Sequence, residues 1–165
     1  ENHTNPSTDL MEEVAWLDSV ISLVKDKFKP DRISLVGVSL GAIISTLSCL
    51  GVKNKEISSI FIIGFPFKLG FPPNINLLQD SNPVIPDYFL EYEKLFKLVN
   101  RRVFVVQGDK DDLGDVNECV DFFNQYDNCT VFKVEGANHG FVSYKDSDIN
   151  YFNDCSKFIL SKLIT

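Results

Sequence analysis

From residue 9 to residue 163, short apolar runs rich in β-branched residues alternate with longer stretches whose apolar positions recur every three or four residues. The first kind suits strands buried on both faces and the second suits helices with one buried face. The chain therefore reads as successive βα units around a parallel sheet. Asp9 stands as an N-cap with Glu12 at the third helical position, opening a helix to about Phe28. Val14, Leu17, Ile21 and Val24 lie at spacings of three and four along it, and Pro30 ends it. Ile33 to Val38 is the first strand. Leu40 to Leu50 is apolar nearly all round and Gly51 follows as its C-cap, so a buried helix is expected. Further strands follow at Ile57 to Ile63, Val103 to Gln107 and Thr130 to Val134, with a helix at Asp115 to Gln125 between the last two. Asp148 to Leu163 forms a closing helix with Tyr151, Phe152, Cys155, Phe158 and Ile159 at core spacing.

Two segments depart from this rhythm. Residues 1–8 read as a flexible polar leader, leaving residues 9–165 as a single domain. Residues 64–98 hold five of the seven prolines and predict a loop-rich excursion, with a short helix near Tyr88 to Leu98. A connection that long inside a compact domain is usually functional, a lid or a pocket wall. Phe65, Phe67, Leu69 and Phe71 make such a wall partly apolar; ordinary loop packing explains the same aromatics equally well.

Composition narrows the function classes. The 165 residues are 44% hydrophobic with 14 Phe, enough for one packed core. A net charge of −7 argues against a nucleic-acid groove, which needs a basic face. The adjacent Arg101 and Arg102 stand where a strand begins and read as a solvated strand entrance rather than a phosphate site. Cys49, Cys119, Cys129 and Cys155 are widely spaced, with no CxxC and no Cys/His cluster, so free thiols are expected and neither a metal site nor a disulfide framework. No apolar run is long enough to span a bilayer and no signal peptide is evident, so a cytoplasmic protein is expected.

The chemistry concentrates in three loops. Gly37-Val38-Ser39-Leu40-Gly41 is a G-x-S-x-G motif standing between a strand and a helix. A serine on so sharp a turn has strained backbone, and both flanking positions are expected to need small residues. The turn exposes the Ser39 hydroxyl as a nucleophile, and the Leu40 N–H at the helix start can stabilise an oxyanion. A serine hydroxyl needs a base. Of the two histidines, His3 lies in the leader, whereas His139 sits in a Gly-flanked loop after the last strand, which makes His139 the base. The imidazole needs a carboxylate to fix its tautomer, and the loop after the third strand offers Asp109, Asp111 and Asp112. Spacing does not choose among them, because Asp in such loops commonly caps N–H groups.

These motifs resemble the α/β-hydrolase superfamily, in which Ser, Asp and His occur in this chain order after successive strands. Gly64-Phe65-Pro66, the segment Val106 to Gly114 and Gly136-Ala137-Asn138-His139-Gly140-Phe141 are similar to loops of its dienelactone-hydrolase-like subgroup. The resemblance covers nearly all of residues 9–163. It implies a three-layer α/β/α fold with a parallel sheet, truncated to about four strands against about eight in the family. By its G-x-x-D pattern, Gly108-Asp109-Lys110-Asp111, it implies that the acid is Asp111. The implied activity is that of a serine hydrolase acting on a small carboxylic ester or thioester, without cofactor or metal. The elbow strand would then lie at an exposed sheet edge that can recruit a second copy or a partner chain. A second reading keeps the fold but makes the chain a weakly active or inactive binding or scaffold module. A half-built oxyanion site would slow catalysis by ~10²–10³.

Overall fold

In the computed structural model, the described residues are 10–50, 54–66, 96–143 and 150–163. They form α1 (Leu10–Phe28), β1 (Ile33–Val38), α2 (Leu40–Cys49), β2 (Ile57–Ile63), β3 (Arg102–Gly108), α3 (Val116–Phe123), β4 (Cys129–Val134) and α4 (Phe152–Leu163). All three strand pairings are parallel, in the order β1-β2-β3-β4.

Strand alternation sends side chains to opposite faces of the sheet, and helices cover both. On one face, Leu35, Ile60, Ile62, Val103 and Val105 pack with Val14 and Ile21 of α1, Ile43 and Leu47 of α2, and Cys119 and Phe123 of α3. On the other, Ile63, Val106 and Val134 pack with Cys155, Phe158 and Ile159 of α4. Phe61 and Phe104, neighbours across the β2–β3 register, stack at 4.9 Å, and Phe158 of α4 meets Phe104 edge-to-face at 6.3 Å. This is the expected three-layer arrangement. Helix α1 is held to α2 by polar contacts too: Asp18 accepts from Ser48 Oγ and from the side-chain amide of the buried Asn54 (2.8 Å).

The coverage is uneven. On β1, Leu35 and Gly37 point into the core, while Val36 and Val38 are 52% and 54% exposed. In the described sheet β1 is the outermost strand, and its outward side chains are wet.

Most element boundaries shift by a residue or two, but α4 begins at Phe152 rather than Asp148, because Asn150 pairs with Val142 in an antiparallel bridge, and Phe152, expected in the core, is exposed. Helix α3 begins at Val116 because Asp115 is its cap, accepting from the N–H groups of Asn117 (2.8 Å) and Glu118 (3.2 Å). Strands β3 and β4 each start one residue early, at Arg102 and Cys129. Residues 96–98 are helical, in agreement with the end of the short helix expected there. The leader, the Asp9 and Gly51 caps, Asp148 and the rest of the 64–98 excursion beyond Pro66 and before Phe96 lie outside the described residues.

Candidate active site

Strand β1 and helix α2 meet at Ser39, and three residues make that junction sharp. Ser39 has φ 52° and ψ −117°, a backbone conformation that costs an L-residue strain and persists only where its surroundings impose it. Its N–H continues the sheet ladder, donating to the Ile63 carbonyl at 2.9 Å, so the strain is locked to β2. Gly37 supplies the clearance: a Cβ there would stand 2.1 Å from the Gly41 carbonyl oxygen. A Cβ on Gly41 itself would meet nothing within 4 Å. The expectation that both flanking positions need small residues is thus corrected. Gly37 faces the turn of helix packed on it, whereas the Cβ direction of Gly41 opens into free space. Leu40 is the first residue of α2, so its N–H has no upstream carbonyl in the helix to bond and remains available at the turn.

His139 comes to Ser39 from a distance of one hundred residues in sequence. Ser39 Oγ and His139 Nε2 are 2.9 Å apart, and His139 Nδ1 lies 2.9 Å from Asp111 Oδ2 and 3.0 Å from Oδ1. An ionised carboxylate only accepts, so Nδ1 carries the hydrogen and Nε2 is left to accept the Ser39 hydroxyl proton. The imidazole is partly open, its side chain 21% exposed, while the Asp111 side chain is fully enclosed. An enclosed carboxylate is tolerable only if its lone pairs are filled. Asp111 Oδ1 also accepts from the N–H groups of Leu113 (2.9 Å) and Gly114 (3.2 Å), and Oδ2 accepts from Gln107 Nε2 at 2.7 Å. A hydroxyl, an imidazole and a carboxylate so joined can move the hydroxyl proton onto the ring and hold the resulting imidazolium against a fixed negative charge.

The neighbouring aspartates have other jobs. Asp109 Oδ1 accepts from the Gly136 N–H at 2.6 Å, tying the β3 loop to the β4 loop that carries His139. Burial alone would raise its pKa, but the Gly136 hydrogen bond and the Lys110 ammonium at 3.3 Å outweigh it and leave it below the ordinary value. Asp112 is exposed.

Phe65 is not on a pocket wall. It is fully buried and packs edge-to-face against Phe96 and Phe123, both at 5.8 Å, so the sequence expectation is corrected in favour of ordinary core packing. The reason is its place directly after the buried β2, where the chain still lies over α3. Phe67 is outside the described residues.

Two residues of the site had no role in the sequence reading. Gln107 is fully buried at the end of β3; besides Asp111 it donates to the Gly114 carbonyl (3.0 Å) and accepts from the Phe65 N–H (2.8 Å). A polar residue interrupting the apolar run Val103 to Val106 was the available signal. Gly64 has φ 61°, and a Cβ there would lie 3.3 Å from Phe141 and 3.4 Å from the His139 ring. It lets the β2 loop pass close beneath the imidazole. The four cysteines take no part. Burial pushes the Cys119 and Cys129 thiols up to about 12, and Cys49 and Cys155 up to about 11. Among the described residues no group of three or more His, Cys, Asp or Glu could hold a metal ion, and no helix is long and apolar enough to cross a membrane.

Comparison with solved structures returns the same fold. An alpha-beta serine hydrolase homologue from Coxiella burnetii superposes with a TM-score of 0.57 at 22% identity, over 86% of this chain and 55% of that one. Est1E from Butyrivibrio proteoclasticus gives 0.66 at 17% identity, over 95% of this chain and 72% of that one. The esterase Pf2001 from Pyrococcus furiosus gives 0.59 at 19% identity, over 82% of this chain and 57% of that one. The chain thus spans little more than half the length of the first of these. No curated protein sequence matches it. The profile of the alpha/beta hydrolase domain matches residues 3–161, from before α1 almost to the end of α4, and with the strained serine turn and the parallel sheet beneath it, this places the chain in the α/β-hydrolase family.

Proposed function

We propose that the chain is a serine hydrolase that cleaves a small carboxylic ester or thioester through an acyl-enzyme. The observation that carries this reading is the continuous hydrogen-bonded chain from Ser39 through His139 to Asp111. In the first step Ser39 Oγ attacks the carbonyl carbon while His139 Nε2 takes the hydroxyl proton. The oxyanion is met by the Leu40 N–H at the start of α2, where the helix dipole adds to the attraction. His139 then gives its proton to the departing alcohol or thiol, leaving an ester on Ser39. Water attacks that ester, His139 taking and returning a proton again, and a carboxylic acid is released. Asp111 stays ionised throughout and holds the ring.

Three further observations support this reading. Ser39 and His139 are both partly solvent-accessible, so a substrate can reach them. Pf2001 is described as an esterase, and Est1E has been solved with ferulic acid, itself a carboxylic acid, the product class that ester cleavage leaves. The three loops around the triad are similar to those of the dienelactone-hydrolase-like subgroup.

Labelling with a fluorophosphonate probe, read by intact mass, tests the proposal. One adduct is expected on the wild type and none on Ser39→Ala, with Asp111→Asn reacting ~10³–10⁴-fold more slowly. A folded wild type that takes up no probe would discard the enzymatic reading. The chain would then be a hydrolase-fold binding module.

A further inference from the structure

At the end of the sheet away from Ser39, three cations from distant parts of the chain converge. Arg32 precedes β1, Arg102 opens β3, and Lys162 lies in the last turn of α4; together with Ser34, Ser58, Ser59 and Leu163 they line a cleft of about 370 Å³. Among the described residues that line it, the charged ones are all basic. Glu56, at the same end of the sheet, is engaged by Lys25 of α1 at 2.8 Å.

The cations are also held in place. The Arg102 guanidinium lies over the Phe104 ring and the Lys162 ammonium over the Phe158 ring, each 5.7 Å from the centroid. Phe104 and Phe158 are themselves in edge-to-face contact at 6.3 Å, so one aromatic pair seats both cations. The floor adds a donor. Ser34 Oγ and Ser59 Oγ are 2.8 Å apart, and in a bond between two hydroxyls one proton is shared and the other remains to be given. Ser58 is already committed, its hydroxyl donating to the Ile33 carbonyl at 3.2 Å.

We infer that this cleft is a binding site for a small oxyanion of the phosphate or phosphomonoester class, distinct from the proposed catalytic centre. Arg32 and Arg102 offer planar forks that match phosphate oxygens, Lys162 adds a point charge, and the serine pair supplies a hydroxyl donor. Five residue steps separate Ser34 from Ser39, about 16–17 Å at strand rise. The ligand therefore does not touch the triad. It bridges β1, β3 and α4, elements otherwise joined through β2 and the core, and so stabilises their packing.

Inorganic phosphate is the probe. Backbone amide NMR shifts and the thermal midpoint would be followed during phosphate titration against sodium chloride of equal ionic strength, for wild type, Ser39→Ala and the double variant Arg32→Gln/Arg102→Gln. Saturable shifts at Arg32, Ser34, Ser59 and Arg102 are expected, with a midpoint raised by about 3–6 °C at tenfold excess over the dissociation constant. Ser39→Ala should respond as the wild type does, and the double variant should bind at least tenfold more weakly. Shifts that track chloride as closely as phosphate, or an unchanged response in the folded double variant, would overturn the inference. So would association with phosphatidylglycerol vesicles in the absence of any response to free phosphate, since that would assign the cations to a lipid surface.

Discussion

At Ser39 the backbone holds a positive φ that its neighbours must enforce, and the two flanking glycines enforce it unequally. Gly37→Ala would drive a methyl group to 2.1 Å from a backbone oxygen, so a loss of about 1–3 kcal/mol or more is expected in urea unfolding. Gly41→Ala meets open space on a helix and is expected to add about 0.5–1 kcal/mol in the same measurement. The reverse order would mean that the turn is held otherwise than the structure places it. Gln107 is the second residue whose neighbours depend on it. Gln107→Leu leaves the Phe65 N–H and the Gly114 carbonyl without the partner they have now, at about 1–3 kcal/mol for each group left unsatisfied. It also removes a donor from Asp111, so fluorophosphonate labelling should slow while Ser39 remains the labelled residue. Labelling at the wild-type rate would show that the backbone donors of Leu113 and Gly114 hold Asp111 without it.

At the scale of elements, each parallel strand ends in a loop that carries one part of the site, and the loops are stitched to each other. The Lys110 N–H donates to the Ala137 carbonyl at 2.9 Å, beside the Asp109 bond to Gly136, so the loop bearing Asp111 and the loop bearing His139 move as one. Asp109 makes that stitch sensitive to acid. Its folded pKa lies below the ordinary 3.8, so its contribution is fully present above that value and is lost as pH falls through the lower folded value. Unfolding followed from neutral pH downward should therefore show a steeper acid limb below 3.8 for the wild type than for Asp109→Asn. Parallel limbs in the two proteins would place the acid sensitivity elsewhere. The same scale explains Phe65. A residue directly after a buried central strand inherits that strand's burial, whatever the loop beyond it does.

For the whole molecule, the decisive feature is an asymmetric sheet. Among the described residues, helices α1, α2 and α3 cover one face, whereas α4 packs on the other against Ile63, Val106 and Val134, and β1 ends the sheet with Val36 and Val38 exposed. Edges of that kind recruit further strands. Sedimentation velocity at rising protein concentration is expected to show self-association of the wild type and less of it for Val38→Lys. That substitution should change stability by no more than about 0.5 kcal/mol, because the side chain is already in water. A wild type that stays monomeric at all concentrations would remove the edge as a recruiting surface.

Local pattern in the sequence was enough for the order and type of every described element, because the periods of strands and helices are properties of neighbouring residues. It was also enough to single out Ser39 and His139 as candidates, which the fold brings to 2.9 Å, since a strand-to-helix glycine turn and a shortage of histidines left few alternatives. Asp111 was legible only through resemblance: three aspartates within four positions have the same local chemistry, and only the path of the loop decides that one faces the imidazole while another caps Gly136. The hidden roles of Gln107 and Gly64, the burial of Phe65 and the open space beside Gly41 were likewise decided in three dimensions. So was the meeting of Arg32, Arg102 and Lys162, of which the sequence suggested no more than a solvated strand entrance at Arg102. Hydrogen bonds and charge interactions act through space over a few ångströms, and which groups come that close is set by how the strands register and the helices pack, which no local stretch of the chain records.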